Sequence, residues 1–214
     1  MRINKTKTFD YRVRLAANTM LDGVAHPFLM PCVAVVALCR GLFWMPLNSY
    51  VILLIIMGVV ASLYCMPMMA ALGHCLIVGE KRPLRPRKRG HRLVMATVSF
   101  LFLASNWIGF QFIFSVPPIA QLLLIAMALT GLYIMGSSHV TIDGYALGLG
   151  ATTAYLTALS LAGMVLWPWP VMLLVLTGLE AWLSVDTHAT TAKRFIVSFV
   201  TGALVTVPFI FFDL

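Results

Sequence analysis

Two histidines lie in short polar segments that interrupt otherwise apolar sequence. His139 lies in segment 136–144, GSSHVTIDG, and His188 lies in segment 186–194, DTHATTAKR. A neutral imidazole can attack phosphorus and form a phosphohistidine, while a second histidine protonates the leaving oxygen. The alternative is structural: the first segment caps the helix that follows it, and the second forms a polar turn at the level of the lipid headgroups.

Acidic side chains accompany both histidines. Asp143 lies four residues after His139, so the two share one face if this segment is helical, and the carboxylate can orient the imidazole. Asp186 lies two residues before His188, and Arg194 closes the same segment. Both segments therefore combine a potential proton carrier with groups that can orient it or hold an anion.

A dense basic segment, 79–92, reads GEKRPLRPRKRGHR and carries nearly half of the fifteen Lys and Arg residues. Cations of this kind can hold the equatorial oxygens of a phosphoryl group. Pro83 and Pro86 prevent a helix through the middle of the segment, so we expect a helix to begin just after Pro86. Its amino terminus would then favour anions as well. The alternative is that the segment only sets membrane topology and touches anionic lipid.

Together these segments supply the candidate site residues. The candidate catalytic residues are His188 and His139. The candidate substrate-binding residues are cationic, hydroxyl-bearing or acidic: Lys81, Arg82, Arg85, Arg87, Arg89, Arg92, Ser137, Ser138, Asp143, Asp186 and Arg194.

The composition predicts a membrane protein. The 214 residues are 61% hydrophobic and 10% charged, and the mean hydropathy is +0.95, which exceeds what a soluble domain uses. A transmembrane barrel would show short alternating segments, whereas the apolar runs here are long and continuous. We therefore expect an all-α, polytopic transmembrane bundle of about six to seven spans. It forms one domain, 1–214, with a basic arm at 1–25 and the basic loop at 79–92.

Seven apolar segments are long enough to be considered as spans: 27–44, 50–78, 93–114, 119–135, 140–167, 171–185 and 195–212. Alternate crossings place the basic arm, the basic loop and both histidine segments on one side of the membrane. The sequence therefore predicts one shared pocket there. The positive-inside rule assigns that side, and the N-terminus, to the cytoplasm.

The net charge of +8 comes from basic groups that each flank an apolar segment. This arrangement favours contact with anionic or phosphorylated membrane lipids and not with nucleic acid. The four cysteines show no metal-ligand spacing and are interpreted as packing residues. We expect no metal and no cofactor. The oligomeric state is left open.

Four further residue-level expectations concern the spans. We expect the second span to tilt or to be kinked at Pro67. We expect Glu180 to face the interior of the bundle or to be protonated. Gly144 and Gly148 form a small-xxx-small pair that allows close helix approach. His26 and His91 flank spans and are interpreted as ordinary interfacial residues.

Four stretches resemble the type-2 phosphatidic acid phosphatase superfamily, and more closely its short bacterial membrane relatives. They are HPFLMP, the Arg-Pro repeats of the basic loop, GSSH followed by a glycine-rich helix, and SVDTHATTAKRFIVSFVTGAL. The resemblance implies that His188 is the nucleophile, that His139 is the general acid and that Ser137 matches a motif serine. Trp182 stands where the family has an arginine, and Ala192 stands where it has the aspartate that orients the nucleophile.

The resemblance implies a membrane lipid-phosphate phosphatase-like protein of the bacterial cytoplasmic membrane, acting on or binding a phosphorylated lipid. Because an orienting carboxylate can be worth several orders of magnitude in rate, two alternatives stay open. One is an inactive relative that binds or transports a phospholipid or an isoprenoid phosphate. The other is a structural membrane subunit.

Overall fold

The computed structural model describes residues 16–17, 20–21, 23–27, 29–41, 48–78, 89–113, 116–136 and 142–213. Within these ranges the chain is helical, with no β-strand. After residue 28 the α-helices are α1 (Leu29–Gly41), α2 (Ser49–Val60), α3 (Met66–Val78), α4 (Arg89–Ile108), α5 (Pro117–Gly136), α6 (Gly144–Leu161), α7 (Pro168–Asp186) and α8 (Ala192–Asp213). This confirms the prediction of an all-α helical bundle.

Five helical stretches of the described chain are long and apolar enough to cross a membrane. They are Tyr50–His74, Gly90–Ile113, Pro117–Gly136, Pro168–Asp186 and Ala192–Phe211. A shorter apolar helix covers Leu29–Arg40. The protein is therefore a helical membrane protein.

The sixth helix, α6, is the inner helix of the bundle. Two thirds of its residues are buried, whereas at most a third of each spanning window is buried inside the protein. An inner helix packs against other helices and not against lipid, so it tolerates the glycine and threonine that lower its hydropathy. It is also shorter than predicted from 140–167. Asp143 caps its start, and Gly163, with φ 73°, ends it in the left-handed conformation.

Helices α6 and α8 approach until their backbones touch. A Cβ atom added to Gly150 would collide with the carbonyl oxygen of Phe199, and one added to Gly202 would collide with that of Leu147. The predicted pair, Gly144 and Gly148, does not make such a contact. An added Cβ would lie 3.5 Å from its nearest neighbour at either position, which is an ordinary van der Waals distance. The predicted close approach exists on this helix, but the glycines that permit it are Gly150 and Gly202.

The irregularity expected at Pro67 takes the form of a π-helical turn. Helix α2 continues through this turn, Ala61–Cys65, into α3, and the Met66 N–H donates to the carbonyl of Ala61. Proline cannot donate to the carbonyl four residues earlier and clashes with it, so a wider turn just before Pro67 accommodates the ring. The turn also places Leu63 in the protein interior.

Glu180 of α7 faces the interior, as predicted. It has no exposed surface, and its Oε1 accepts a hydrogen bond of 2.7 Å from Ser184 Oγ. Polar contacts of this kind offset part of the cost of burying a carboxyl group within a membrane bundle.

Candidate functional site

A cavity of about 380 Å³ lies inside the bundle. Its walls come from α4, α5 and α6, from residues at the start of α1, and from the connection between α7 and α8. One end is polar and the rest is mainly apolar. The size falls within the range of small-molecule sites in proteins.

The polar end of the cavity is lined by Arg92, Tyr133, Asp143 and Arg194. Arg92 belongs to the first turn of α4 and Arg194 to the first turn of α8, while Asp143 immediately precedes α6. Tyr133, near the end of α5, interacts electrostatically with all three of these charged groups. Three helix amino termini therefore converge here, and each of them carries a partial positive charge.

Asp143 links the start of α6 to α8. Its Oδ1 accepts hydrogen bonds from the N–H groups of Tyr145 (3.0 Å) and Ala146 (3.4 Å), and its own N–H donates to Ser198 Oγ at 2.9 Å. The side chain is buried. This confirms the capping interpretation for Asp143. Any contact with His139 lies outside the described residues.

Both arginines retain donors that no described group accepts. Arg194 donates from Nη2 to the carbonyl of Ile142 at 2.9 Å, which fixes the direction of its side chain. Within the described part of the chain, the buried Nε atoms of Arg92 and Arg194 have no hydrogen-bond partner. A guanidinium group carries five donors in a planar fork that fits phosphate or carboxylate oxygens. An anion at this end would meet donors that are otherwise unused.

The body of the cavity is apolar in practice, although hydroxyl groups line it. Ser99, Thr130 and Thr152 each donate to the carbonyl four residues earlier on their own helix. Their donors are therefore not available to a ligand. The remaining lining of the body is largely aliphatic: Met30, Leu63, Met95, Ala96, Leu103, Leu122, Ile125, Ala126, Leu129, Leu147 and Ala151.

His26 is a lining residue that the sequence analysis missed. It is 2% exposed, and its ring makes edge-to-face contacts with Tyr145 (centroids 5.5 Å apart) and Tyr64 (6.5 Å). The interfacial interpretation of His26 is therefore wrong. The available signal was the His-Pro pair shortly before α1, because proline is favoured where a helix begins.

His188 occupies the cap at the end of α7. The His188 N–H donates to the carbonyl of Val185, and the Ala189 N–H donates to that of Ser184, which together form a Schellman motif. His188 is the non-glycine residue with positive φ (56°) in the described chain. Its side chain is exposed, and so is that of its neighbour Ala189, which lies at the edge of the cavity. Asp186 is also exposed.

The structure brings together three of the predicted substrate-binding residues: Arg92, Asp143 and Arg194. The helix expected after Pro86 begins at Arg89 within the described ranges. The predicted residues that lie outside the described residues are Lys81, Arg82, Arg85, Arg87, Ser137, Ser138 and His139.

Replacing His188 with glycine is expected to raise the stability of the protein by about 1 kcal/mol. The left-handed conformation costs an L-residue about 1–2 kcal/mol, and glycine adopts it freely. For a chain of this size that corresponds to a rise of about 2–4 °C in the unfolding temperature, measured in detergent. The same substitution at Thr187, whose φ is −84°, serves as the control and is expected to lower stability. A lower unfolding temperature for His188→Gly would contradict the described cap.

No family model, curated protein or solved structure matches this chain. Among the described residues, no three His, Cys, Asp or Glu side chains are grouped so that they could hold a metal ion. The geometry of the cavity is therefore the basis for a functional assignment.

Proposed function

We propose that the protein binds a phosphorylated lipid, with the phosphate at Arg92 and Arg194 and the hydrocarbon chain in the apolar body of the cavity. The supporting observation is one cavity with two arginines at one end and aliphatic side chains along the rest. An amphiphile with an anionic head matches both parts at once. A wholly apolar ligand would leave the Nε donors of Arg92 and Arg194 without acceptors among the described residues, which is costly for buried atoms.

The charge at the polar end favours a phosphate group. Two arginines and Asp143 give a net charge of +1 for the described side chains, and the amino termini of three helices add to it. A phosphate monoester carries about −1.5 to −2 at neutral pH and presents three acceptor oxygens. Bidentate arginine contacts and helix amino termini are common ways of holding such a group.

Hydrolysis of the bound phosphate is the second candidate function. The observation that favours it is that Ala189, next to His188, lines the cavity. His188 would have to turn from its exposed position to act as the nucleophile. The described contacts support binding more directly than they support hydrolysis.

The proposal places the protein in a bacterial cytoplasmic membrane, with the N-terminus and the polar end of the cavity on the cytoplasmic side. Basic residues at 1–25, at 79–92 and at Lys193–Arg194 support this orientation through the positive-inside rule. Accessibility labelling tests it, with one cysteine introduced at 193 or at 167 in a variant whose four native cysteines are replaced by alanine. Reaction of position 193 from the periplasmic side would contradict it.

Binding is tested with pairs of lipids that differ only in the phosphate. Native mass spectrometry of the purified protein would compare phosphatidic acid with diacylglycerol, and lysophosphatidic acid with monoacylglycerol. We expect at least one phosphorylated lipid to bind at least tenfold more tightly than its dephosphorylated partner. Equal binding within both pairs would refute the proposal. Release of inorganic phosphate in the same samples, lost in His188→Ala, would support hydrolysis.

A further inference from the structure

Helix α7 has one buried face, and that face carries a carboxyl group. The side chains of this face are buried or half-buried and recur at helical spacing: Leu173, Leu176, Thr177, Glu180 and Ser184. Glu180 and Ser184 have no exposed surface. In the described chain, Glu180 is the carboxyl side chain that lies inside a spanning helix and not at its end.

The buried face of α7 packs against α6. Other sides of α6 have other partners: Gly150 meets α8, Gly148 meets α1, and Tyr155 donates a hydrogen bond to α5. One buried face of α6 is left for α7, and its residues again recur at intervals of three or four: Leu149, Thr153, Leu156 and Ser160. Glu180 therefore faces a side of α6 that carries two hydroxyl groups.

The hydroxyl groups between α6 and α7 are unlike others in the spanning helices. A hydroxyl in a helix commonly donates to the carbonyl oxygen four residues earlier, as Thr157 of α6 does. Thr153 and Ser160 are buried, and within the described chain their hydroxyl oxygens have no hydrogen-bond partner. Ser184 donates to the Glu180 side chain, at 2.7 Å from Oε1. Unused hydrogen-bonding capacity therefore collects on the side of α6 that Glu180 faces.

These groups form a row that runs along the helices. Glu180 lies six residues before the end of α7, which is about 9 Å at ~1.5 Å per residue. Thr153 and Ser160 lie nine and sixteen residues after the start of α6, which is about 14 Å and about 24 Å. Both reference ends lie beside the polar end of the cavity. The row therefore leads from Glu180 toward the opposite face of the protein.

We propose that Glu180 is a proton-binding site within the membrane, and that Thr153 and Ser160 relay its proton toward the face opposite the polar end of the cavity. A charged carboxylate is costly inside a membrane bundle, which favours the protonated group. The inference goes beyond lipid binding and does not depend on it.

Proton release breaks the O–H bond of the Glu180 carboxyl group and leaves a carboxylate. The proton passes along hydroxyl groups, each of which can accept one proton while it donates its own. Water molecules complete the steps between them, and no electron is transferred. The hydrogen bond from Ser184 has the direction that stabilises the remaining carboxylate.

The other titratable side chains of α6, α7 and α8 lie at helix ends or face other elements. Tyr145 contacts the ring of His26, and Tyr155 donates to α5, so neither of them faces α7. The groups at or just beyond the ends of α7 and α8 are Asp186, His188, Lys193, Arg194 and Asp213. Among the described residues, a carboxyl titration between α6 and α7 is therefore that of Glu180.

The test is infrared spectroscopy of the protein purified in a maltoside detergent, which has no carbonyl band of its own. We expect a C=O band from a protonated carboxyl group at neutral pH. The band should be absent in Glu180→Gln, should shift in D₂O, and should shrink as the pH is raised. A wild-type spectrum identical to that of Glu180→Gln would overturn the inference, and so would a band that never shifts in D₂O.

Two further measurements keep the test decisive. Dicyclohexylcarbodiimide modifies protonated carboxyl groups in apolar surroundings, and peptide mass spectrometry of the wild type should locate the adduct at Glu180. This assigns the band even if Glu180→Gln folds poorly. Loss of the band on addition of sodium chloride, but not of choline chloride, would indicate a bound sodium ion and would overturn the proton assignment.

Thr153→Val and Thr157→Val are a matched pair for the relay, because valine keeps the branched shape and lacks the hydroxyl. The Thr157 hydroxyl is already used within its own helix. We expect hydrogen–deuterium exchange of the Glu180 carboxyl to slow at least tenfold in Thr153→Val and to be unchanged in Thr157→Val. Ser160→Ala should slow it as well. Exchange at the wild-type rate in both Thr153→Val and Ser160→Ala would refute the relay.

Discussion

Replacing Gly202 with alanine is expected to destabilise the protein by about 3 kcal/mol, because the added methyl group has no space. A Cβ atom there would collide with the carbonyl oxygen of Leu147, and one at Gly150 would collide with that of Phe199. Both obstacles are backbone atoms, which cannot rotate away as a side chain can. Helices α6 and α8 would have to separate. Thermal unfolding in detergent measures the effect, and the yield of monodisperse protein is a second readout.

Gly150→Ala is expected to act in the same direction, and Gly178→Ala is the matched control. Gly178 lies inside α7 with nothing within 4 Å of an added Cβ. Alanine favours a helix by about 1 kcal/mol over glycine, so this variant should be as stable as the wild type or more stable. If Gly202→Ala and Gly178→Ala unfold at the same temperature, the backbones of α6 and α8 do not touch as described.

The helical spans were predictable because their signal is local. A run of about twenty apolar residues is sufficient to indicate a membrane helix, whatever it packs against. Segments such as Pro168–Asp186 and Ala192–Phe211 meet that condition in the structure. Helix α6 does not meet that condition. Its glycine and threonine content reflects its position inside the bundle, where it packs against other helices and not against lipid.

The contacts between helices were harder to predict. A small-xxx-small pattern shows that a helix can be approached closely, but it does not show which residue meets the neighbouring backbone. The sequence indicated Gly144 and Gly148, while the contact with α8 is made at Gly150. The rotation of α6 about its axis decides between them, and that rotation depends on all the helices around it.

The candidate site was predictable where a residue lies at a helix terminus. Arg92, Asp143 and Arg194 each lie in or next to the first turn of a helix, and counting the spans predicts that these three helix starts share one side. His26 was missed because its burial depends on Tyr64 and Tyr145, which are distant in the sequence. The volume and shape of the cavity are likewise set by packing between helices and leave no local pattern.

Replacing both Arg92 and Arg194 with glutamine is expected to weaken binding of the phosphorylated lipid by at least a hundredfold. A hydrogen bond to a charged group contributes about 1.5–3 kcal/mol, and about 1.4 kcal/mol corresponds to a factor of ten. Two arginines on one phosphate would therefore supply about 3–6 kcal/mol. Because both guanidinium groups would contact the same anion, the single and double substitutions should not be additive. Native mass spectrometry of the four proteins measures this coupling.

Two further variants test the effect of charge at the polar end without disturbing the fold. Lys193→Gln removes the same charge from the residue next to Arg194, but Lys193 is exposed and does not line the cavity, so binding should be nearly unchanged. Asp143→Asn removes a negative charge from the cavity, and asparagine caps a helix about as well as aspartate. We expect it to strengthen binding, since the phosphate then meets one like charge fewer. If Lys193→Gln weakens binding as much as Arg194→Gln, the attraction is a general surface effect and the phosphate is not held inside the cavity.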